Sequence, residues 1–263
     1  MIKFNFTNKL ALVLASSKGI GFELAKELAK NNAYVAICGR NSKNLLSAKN
    51  KLKKMGILKK VKFFKTDLSK TRNVLKLHKI VTRNFGKNID ILINNSGGPE
   101  PKMINDIKEK DWDYALNNNL KSFIFMSLKV LPAMKKNKWG RIINLTSSTA
   151  KEPAEKMALS NVTRAGVLAF SKTLSREASS DQITINSILT GGVLTDRLFE
   201  LIKKNNKGKV KQVLKKISSS IPVKHIANPT EFVQLILFLC TKEASYVNGT
   251  AISVDGGSSK TLF

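Results

Sequence analysis

The 263 residues hold only two cysteines, two histidines and two tryptophans. Cys38 and Cys240 lie far apart, each inside an apolar run. That pattern excludes a disulfide scaffold and points to two small buried hydrophobes in a reducing compartment. No Cys/His cluster has metal-ligand spacing, so no metal is expected. His78 and His225 stand alone and are expected to be structural or surface residues. Long hydrophobic runs are missing too. The N-terminus MIKFNFTNKLALVLASS has no signal-peptide layout. The longest later run, Phe232 to Cys240, is far below the roughly 20 residues that cross a bilayer. The expectation is a cytoplasmic protein with no membrane partner.

Acidic residues are scarce: 18 Asp+Glu stand against 46 Lys+Arg, a formal charge of +28. One reading is a surface for nucleic acid or anionic membrane. The other is lysine decoration of every solvated face. The lysines are spread over the whole chain, and no RNA-binding aromatic motif interleaves with them. The second reading is favoured, and nucleic acid is not the expected partner. Such a charge still attracts anionic ligands.

Apolar residues make up 42% of the chain, enough for a core. A chain this long buries most of its unfolded surface and needs no covalent staple. Short apolar runs alternate with amphipathic stretches. Strands are predicted at Leu10–Leu14, Tyr34–Cys38, Val61–Lys65, Ile89–Ile93, Arg141–Thr146, Thr184–Leu189 and Ala251–Val254. Helices are predicted at Gly19–Lys30, Trp112–Lys136, Ala154–Ala178 and Glu231–Leu239. This alternation implies an α/β fold with a doubly wound parallel sheet, as one domain over residues 1–263.

The first strand runs straight into Ala15-Ser16-Ser17-Lys18-Gly19-Ile20-Gly21 and then a helix. This is the setting of a dinucleotide loop. Glycines admit the pyrophosphate, whose charge meets the helix N-terminus. The fold is therefore Rossmann-type. No acid ends strand two, which reads Cys38-Gly39-Arg40-Asn41. An acid there grips the ribose hydroxyls of NAD. Arg40 and Lys18 instead suit a 2′-phosphate, so NADP(H) is expected over NAD(H).

Further motifs follow in order. They are Asp67 after strand three, Asn94-Asn95-Ser96-Gly97 after strand four, Asn119, Ser147 after strand five, Gly191-Gly192 and Thr195 after strand six, and Val254-Asp255-Gly256-Gly257. The set resembles the short-chain dehydrogenase/reductase family over nearly the whole length, most of all the 3-oxoacyl-carrier-protein reductases. The resemblance implies that Gly19, Ile20 and Gly21 line the pyrophosphate, with Ser17, Lys18 and Gly97 beside them. It implies that Asp67 holds the adenine, that Asn95 borders the cofactor and that Thr195 meets the nicotinamide amide. Taken singly, Asp67 and Asn95 read equally well as cap and turn residues. Where the family has Thr-Gly, this chain has Leu14-Ala15. An alanine held at positive φ there carries about 1 kcal/mol of strain.

The family's chemistry uses a Tyr-x-x-x-Lys pair after strand five, an upstream serine and an asparagine on the preceding helix. Asn119 and Ser147 match the last two. The helix then reads Leu159-Ser160-Asn161-Val162-Thr163-Arg164-Ala165-Gly166-Val167. Aligned on its Ala-Gly-Val, Ser160 takes the tyrosine position and Arg164 the lysine position. Arg164 retains charge and can donate to ribose hydroxyls. Ser160 is a far weaker acid than a phenol and reaches less far. Losing a positioned general acid costs about 10² to 10⁴ in rate. A water held by Ser147, Ser160 and Asn119, or a swing of Lys151 or Lys156, is the remaining proton source.

The leading expectation is an NADP(H)-dependent oxidoreductase acting on a carbonyl or alcohol, with an anionic or acyl-thioester substrate in view. The alternative is a catalytically weak or silent nucleotide-binding protein. A third is a different reaction, or nucleic-acid binding. The resemblance also implies a homotetramer or homodimer, and a substrate lid at about 194–222. In the stretch Leu201–Lys216 of that lid there are seven lysines and no acid, and Gly208 reads as a hinge.

Overall fold

The first strand, β1 (Leu10–Val13), divides its side chains between two helical layers. Ala11 and Val13 face one core, and Leu10 and Leu12 face the other. This is the two-residue period of a strand buried on both sides. The computed structural model describes residues 3–205 and 210–262. The remaining strands are β2 (Tyr34–Gly39), β3 (Val61–Lys65), β4 (Ile91–Asn94), β5 (Gly140–Leu145), β6 (Ile183–Thr190) and β7 (Ala251–Val254). Their order is β3-β2-β1-β4-β5-β6-β7, every pairing parallel. The order reverses between β1 and β4, which opens a crevice at their carboxyl ends.

One face carries α1 (Gly19–Lys30), α2 (Ser42–Lys54) and α9 (Pro229–Leu239), which bury Leu24, Leu28, Leu52, Phe232 and Ile236. The other carries α3 (Thr71–Phe85), α5 (Ser122–Lys136) and α6 (Ala158–Ala178), through Leu77, Val81, Met126, Val130 and Leu174. A buried polar chain pins α5 and α6 beneath the crevice. Asn94 Nδ2 donates to Asn144 Oδ1 at 2.7 Å and to Ser127 Oγ at 3.0 Å. Asn144 Nδ2 donates to Ser171 Oγ at 2.7 Å. Groups this deep need partners, because an unpaired one costs about 1–3 kcal/mol.

The helix predicted from Trp112 to Lys136 starts earlier and is continuous, but its winding changes part-way. It comprises α4 (Glu109–Leu116), a π turn at Asn117–Lys121, and α5. Glu109 and Asp111 favour the early start, since acids stabilise a helix N-terminus. The Asp111 carboxylate accepts the Lys108 amide at 3.0 Å. The helix predicted from Ala154 begins at Ala158 instead, because Lys156 takes φ +60° and ends regular winding. Helices α2 and α3 were not expected from the periodicity. After β6 come α7 (Asp196–Asn205) and α8 (Val210–Ser220), within the predicted lid. Gly208, read as its hinge, lies outside the described residues.

Candidate active site

The loop after β1 is tied to β2. Ser16 Oγ donates to the Val13 carbonyl at 2.6 Å and accepts the Cys38 amide at 3.1 Å. Ala15 sits at φ +45°, the left-handed backbone that the substitution of glycine by alanine makes costly. Gly21 is sterically required. A Cβ there would lie 2.7 Å from Asn95 Nδ2 and 2.9 Å from the Ala15 carbonyl. Lys18 caps α1 without a side-chain hydrogen bond, and the first turn carries no acid. The amides of that turn are thus left for an anion.

A cleft of about 450 Å³ opens at this point. Ser17, Lys18, Gly19, Ile20 and Gly21 form its floor, and Arg40 and Asp67 flank it at the ends of β2 and β3. Asn95, Gly97 and Thr195 complete the wall. Asn95 Nδ2 donates to the carbonyls of Leu14 and Ala15, so it also braces the loop. Asp67 Oδ1 accepts from the Ser69 amide and hydroxyl, a turn role alongside its place in the cleft. Uncapped amides, a Gly21 without room for a side chain, and two cations at the cleft, Lys18 before α1 and Arg40 after β2, together fit a dinucleotide.

The four predicted catalytic residues do not line this cleft. They lie behind and beside it. Asn119, in the π turn, donates to Ser96 Oγ at 2.8 Å and to the Gly97 carbonyl at 2.9 Å. Arg164 is buried. Its Nη1 donates to the Leu145 carbonyl at 3.1 Å, and Nη2 lies 3.5 Å from Ser96 Oγ. Its Nε has no hydrogen-bond partner among the described residues. Burial, with Arg197 adding like charge, pulls the guanidinium down to about 10. Ser160, one turn earlier on α6, is also buried, its Oγ 3.3 Å from Thr149 Oγ1. Ser147 Oγ accepts the Thr149 amide at 3.3 Å. Ser96 is the link, since it belongs both to the cleft wall and to the Asn119–Arg164 cluster.

Sequence reasoning missed Tyr114, Asn118, Arg197 and Glu200, all of which line the cleft. Tyr114 and Asn118 are four residues apart on a helix-forming stretch, a spacing that puts both on one face. Lys151 donates to the Ala251 carbonyl, away from the hydroxyl cluster. Cys38 and Cys240 are buried, and desolvation pushes both thiols up to about 12, which keeps them unreactive. No group of residues suited to a metal occurs among the described residues. No described helix is long and apolar enough to cross a membrane.

The profile of a family described as enoyl-(acyl carrier protein) reductase matches residues 14–259. The chain belongs to the short-chain dehydrogenase/reductase family of oxidoreductases. A 3-oxoacyl-[acyl-carrier-protein] reductase of Buchnera aphidicola is 32% identical over 252 residues, spanning 95% of this chain and 97% of that protein. The NADPH-dependent reductase BacG of Bacillus subtilis is 30% identical over 260 residues, 97% of this chain and all of the relative. The crystal structure of L-sorbose reductase from Gluconobacter frateurii, complexed with NADPH and L-sorbose, superposes with a TM-score of 0.92. Its identity is 30%, and the match covers 99% of this chain and 100% of that one. Family membership extends from the loop after β1 to the segment beyond β7. The family description and the relatives' names span enoyl, 3-oxoacyl and sugar reduction, so membership fixes an oxidoreductase and neither the substrate nor the bond reduced.

Proposed function

We propose that this chain is an NADPH-dependent reductase of a carbonyl substrate whose proton does not come from a tyrosine. The observation that carries the cofactor choice is Arg40 beside Lys18 in a cleft where no acid follows β2. NADPH in the crystal structure of the sorbose reductase and in the name of BacG supports the same reading. The bound nicotinamide would supply hydride to the carbonyl carbon. The chain's own residues bind and orient. The amides of Gly19–Gly21 meet the pyrophosphate, and Thr195 lies beside Gly19 at the nicotinamide end.

Ser160 and Arg164 stand for the usual tyrosine and lysine in this reading. Ser147 and Ser160 are both tied to Thr149, the first through its amide and the second through its hydroxyl, and in this reading they hold a water or a substrate oxygen. Arg164 acts through Ser96, keeping positive charge behind the cleft wall. The lid over residues 194–222 would close on substrate. Its described lysines Lys203, Lys211, Lys215 and Lys216 are exposed and favour an anionic or acyl-thioester ligand. A homodimer or homotetramer is supported by Leu128 on α5 and Val162 on α6, both exposed apolar side chains. Light scattering at micromolar concentration tests this, and a monomer refutes it. A cytoplasmic location fits the two buried free thiols.

A second reading is a binding protein without turnover. It is favoured by the burial of Ser160 and Arg164, neither of which reaches the cleft surface. Titration with NADPH and NADH, followed by turnover on ketones, 3-oxoacyl thioesters and sugars, separates the two. Tighter NADPH binding with turnover supports the first, and binding alone selects the second. Arg40→Asp should reverse the cofactor preference, and equal affinities in the unaltered protein overturn it.

A further inference from the structure

Arg40 does not hang free beside the cleft. Its Nη1 donates to the hydroxyl of Tyr114 at 2.8 Å. Arg40 follows β2 and Tyr114 lies on α4, 74 residues later. Both line the same cleft and both are exposed. The contact therefore joins two elements of the cleft lining, and neither residue is locked there by burial.

The chemistry of the partner matters. A phenol is a neutral acceptor. It takes one of the five N–H donors of a guanidinium and leaves the rest, together with the full positive charge. A carboxylate in its place would hold the arginine as firmly but cancel the charge. The second cation beside α1 shows the contrast. Lys18 Nζ rests on the Glu200 carboxylate at 3.1 Å. An unheld arginine loses most of its rotamer freedom when it grips an anion, and holding it in advance removes part of that loss. The phenol also keeps its own O–H to donate.

We propose that Tyr114 is a positioning residue for Arg40, holding its guanidinium ready for the 2′-phosphate of NADPH. Cofactor choice is then set by two elements of the cleft lining, the turn after β2 and a helix that binds no phosphate of its own. This rests on the NADPH reading above and adds the residue that makes it effective.

The test is binding and not turnover. Dissociation constants for NADPH, NADH and the fragment adenosine 2′,5′-bisphosphate are measured by calorimetry on the full chain. Tyr114→Phe keeps the ring and deletes the acceptor. It should weaken NADPH and the bisphosphate about fivefold, the equivalent of one net hydrogen bond, and leave NADH unchanged. In an Arg40→Ala background the same change should have no further effect on any of the three. An equal loss for NADH and NADPH would mean that Tyr114 only shapes the cleft, and overturns the proposal. So does an unchanged NADPH affinity in Tyr114→Phe, or a loss that persists without Arg40. If the unaltered protein fails to prefer NADPH, the cofactor reading falls and takes this with it. If it prefers NADPH while Tyr114→Phe does the same to the same degree, this inference alone fails.

Discussion

Glu200 on α7 reaches the loop after β1 and binds Lys18, its Oε1 3.1 Å from Nζ. The pair ties the first helix of the lid region to the cofactor loop. Both side chains are well exposed, at 45% and 63%, so the bond is weak in itself. In the proposed NADPH complex a cofactor phosphate and the Glu200 carboxylate would compete for the same ammonium. Glu200→Gln should therefore tighten NADPH binding by about threefold at low salt, within the range of an exposed ion pair. The gain should vanish near 0.5 M salt, where screening is strong. Calorimetry at two ionic strengths checks this, and weaker binding in the variant would show that Glu200 supports the cofactor.

Ser160 and Arg164 are four residues apart on one face of α6 and both are buried. Ser160→Tyr alone should not restore ordinary family activity, since Arg164 is bulkier than lysine and is already bonded to the Leu145 carbonyl. The double change Ser160→Tyr with Arg164→Lys should gain more than the two single changes summed. Neighbours that share a network couple by about 0.5–3 kcal/mol. Steady-state rates of NADPH oxidation with a ketone panel measure it. Additive or null effects would argue against the assignment of these two positions.

In the proposed reading the exposed Lys203 of α7 and Lys211, Lys215 and Lys216 of α8 act on substrate. Rim charges act mainly on association rate and salt dependence. Binding of an acyl-coenzyme A thioester should weaken as salt rises to about 0.5 M, where the screening length falls below 10 Å. Salt-independent binding would mean that these lysines only solvate the surface.

His225 lies between the end of α8 and α9. Its Nε2 is 2.9 Å from Glu231 Oε1, and Nδ1 is 3.1 Å from the Val223 carbonyl. Its bond to Glu231, then that to Val223, raises its pKa above 6.5. A raised folded value stabilises while the imidazole is protonated. The contribution is fully present below pH 6.5 and is lost as pH climbs through the folded value. The melting temperature of the unaltered protein should exceed that of His225→Ala at about pH 5.5, and the gap should close by about pH 8.5. A gap that widens with pH would reverse the assignment.

The alternation of strand and helix, and the loop at Gly19–Gly21, were legible because their chemistry is local. A strand buried on both faces must be apolar throughout, and a backbone approached by Asn95 cannot bear a Cβ. Arg40, Asp67 and Asn95 were legible as positions because each follows the carboxyl end of a strand. Helix α2 was not legible because its apolar stripe is thin, whereas the amphipathic face of α3 was legible in principle. Leu45, Ala48 and Leu52 carry α2 among six lysines and asparagines that face water, and Val74, Leu77 and Val81 carry α3. The contacts of Arg164 and Tyr114 were not legible at all. Arg164 could face the cleft or hide behind it, and only the seating of α6, packed on β6 with Arg164 reaching the Leu145 carbonyl, decides. The partner of Tyr114 lies on another element and depends on the winding of α4.

That winding has a consequence of its own. The π turn at Asn117–Lys121 acts as a one-residue phase shift between two faces of a continuous rod. Downstream, Phe123, Met126, Val130 and Met134 keep step with the sheet. Upstream, Tyr114 is turned toward the cleft instead. Each residue of an α-helix advances the azimuth by about 100°. Deleting Asn117 would let the rod relax to uniform winding, and every side chain before it would swing by roughly that angle. Phe123 and its neighbours would stay seated, Ala115 would leave its buried seat, and Tyr114 would lose Arg40. A single codon thus separates two geometries of the same helix, one that turns Tyr114 to the cleft and one that turns it away.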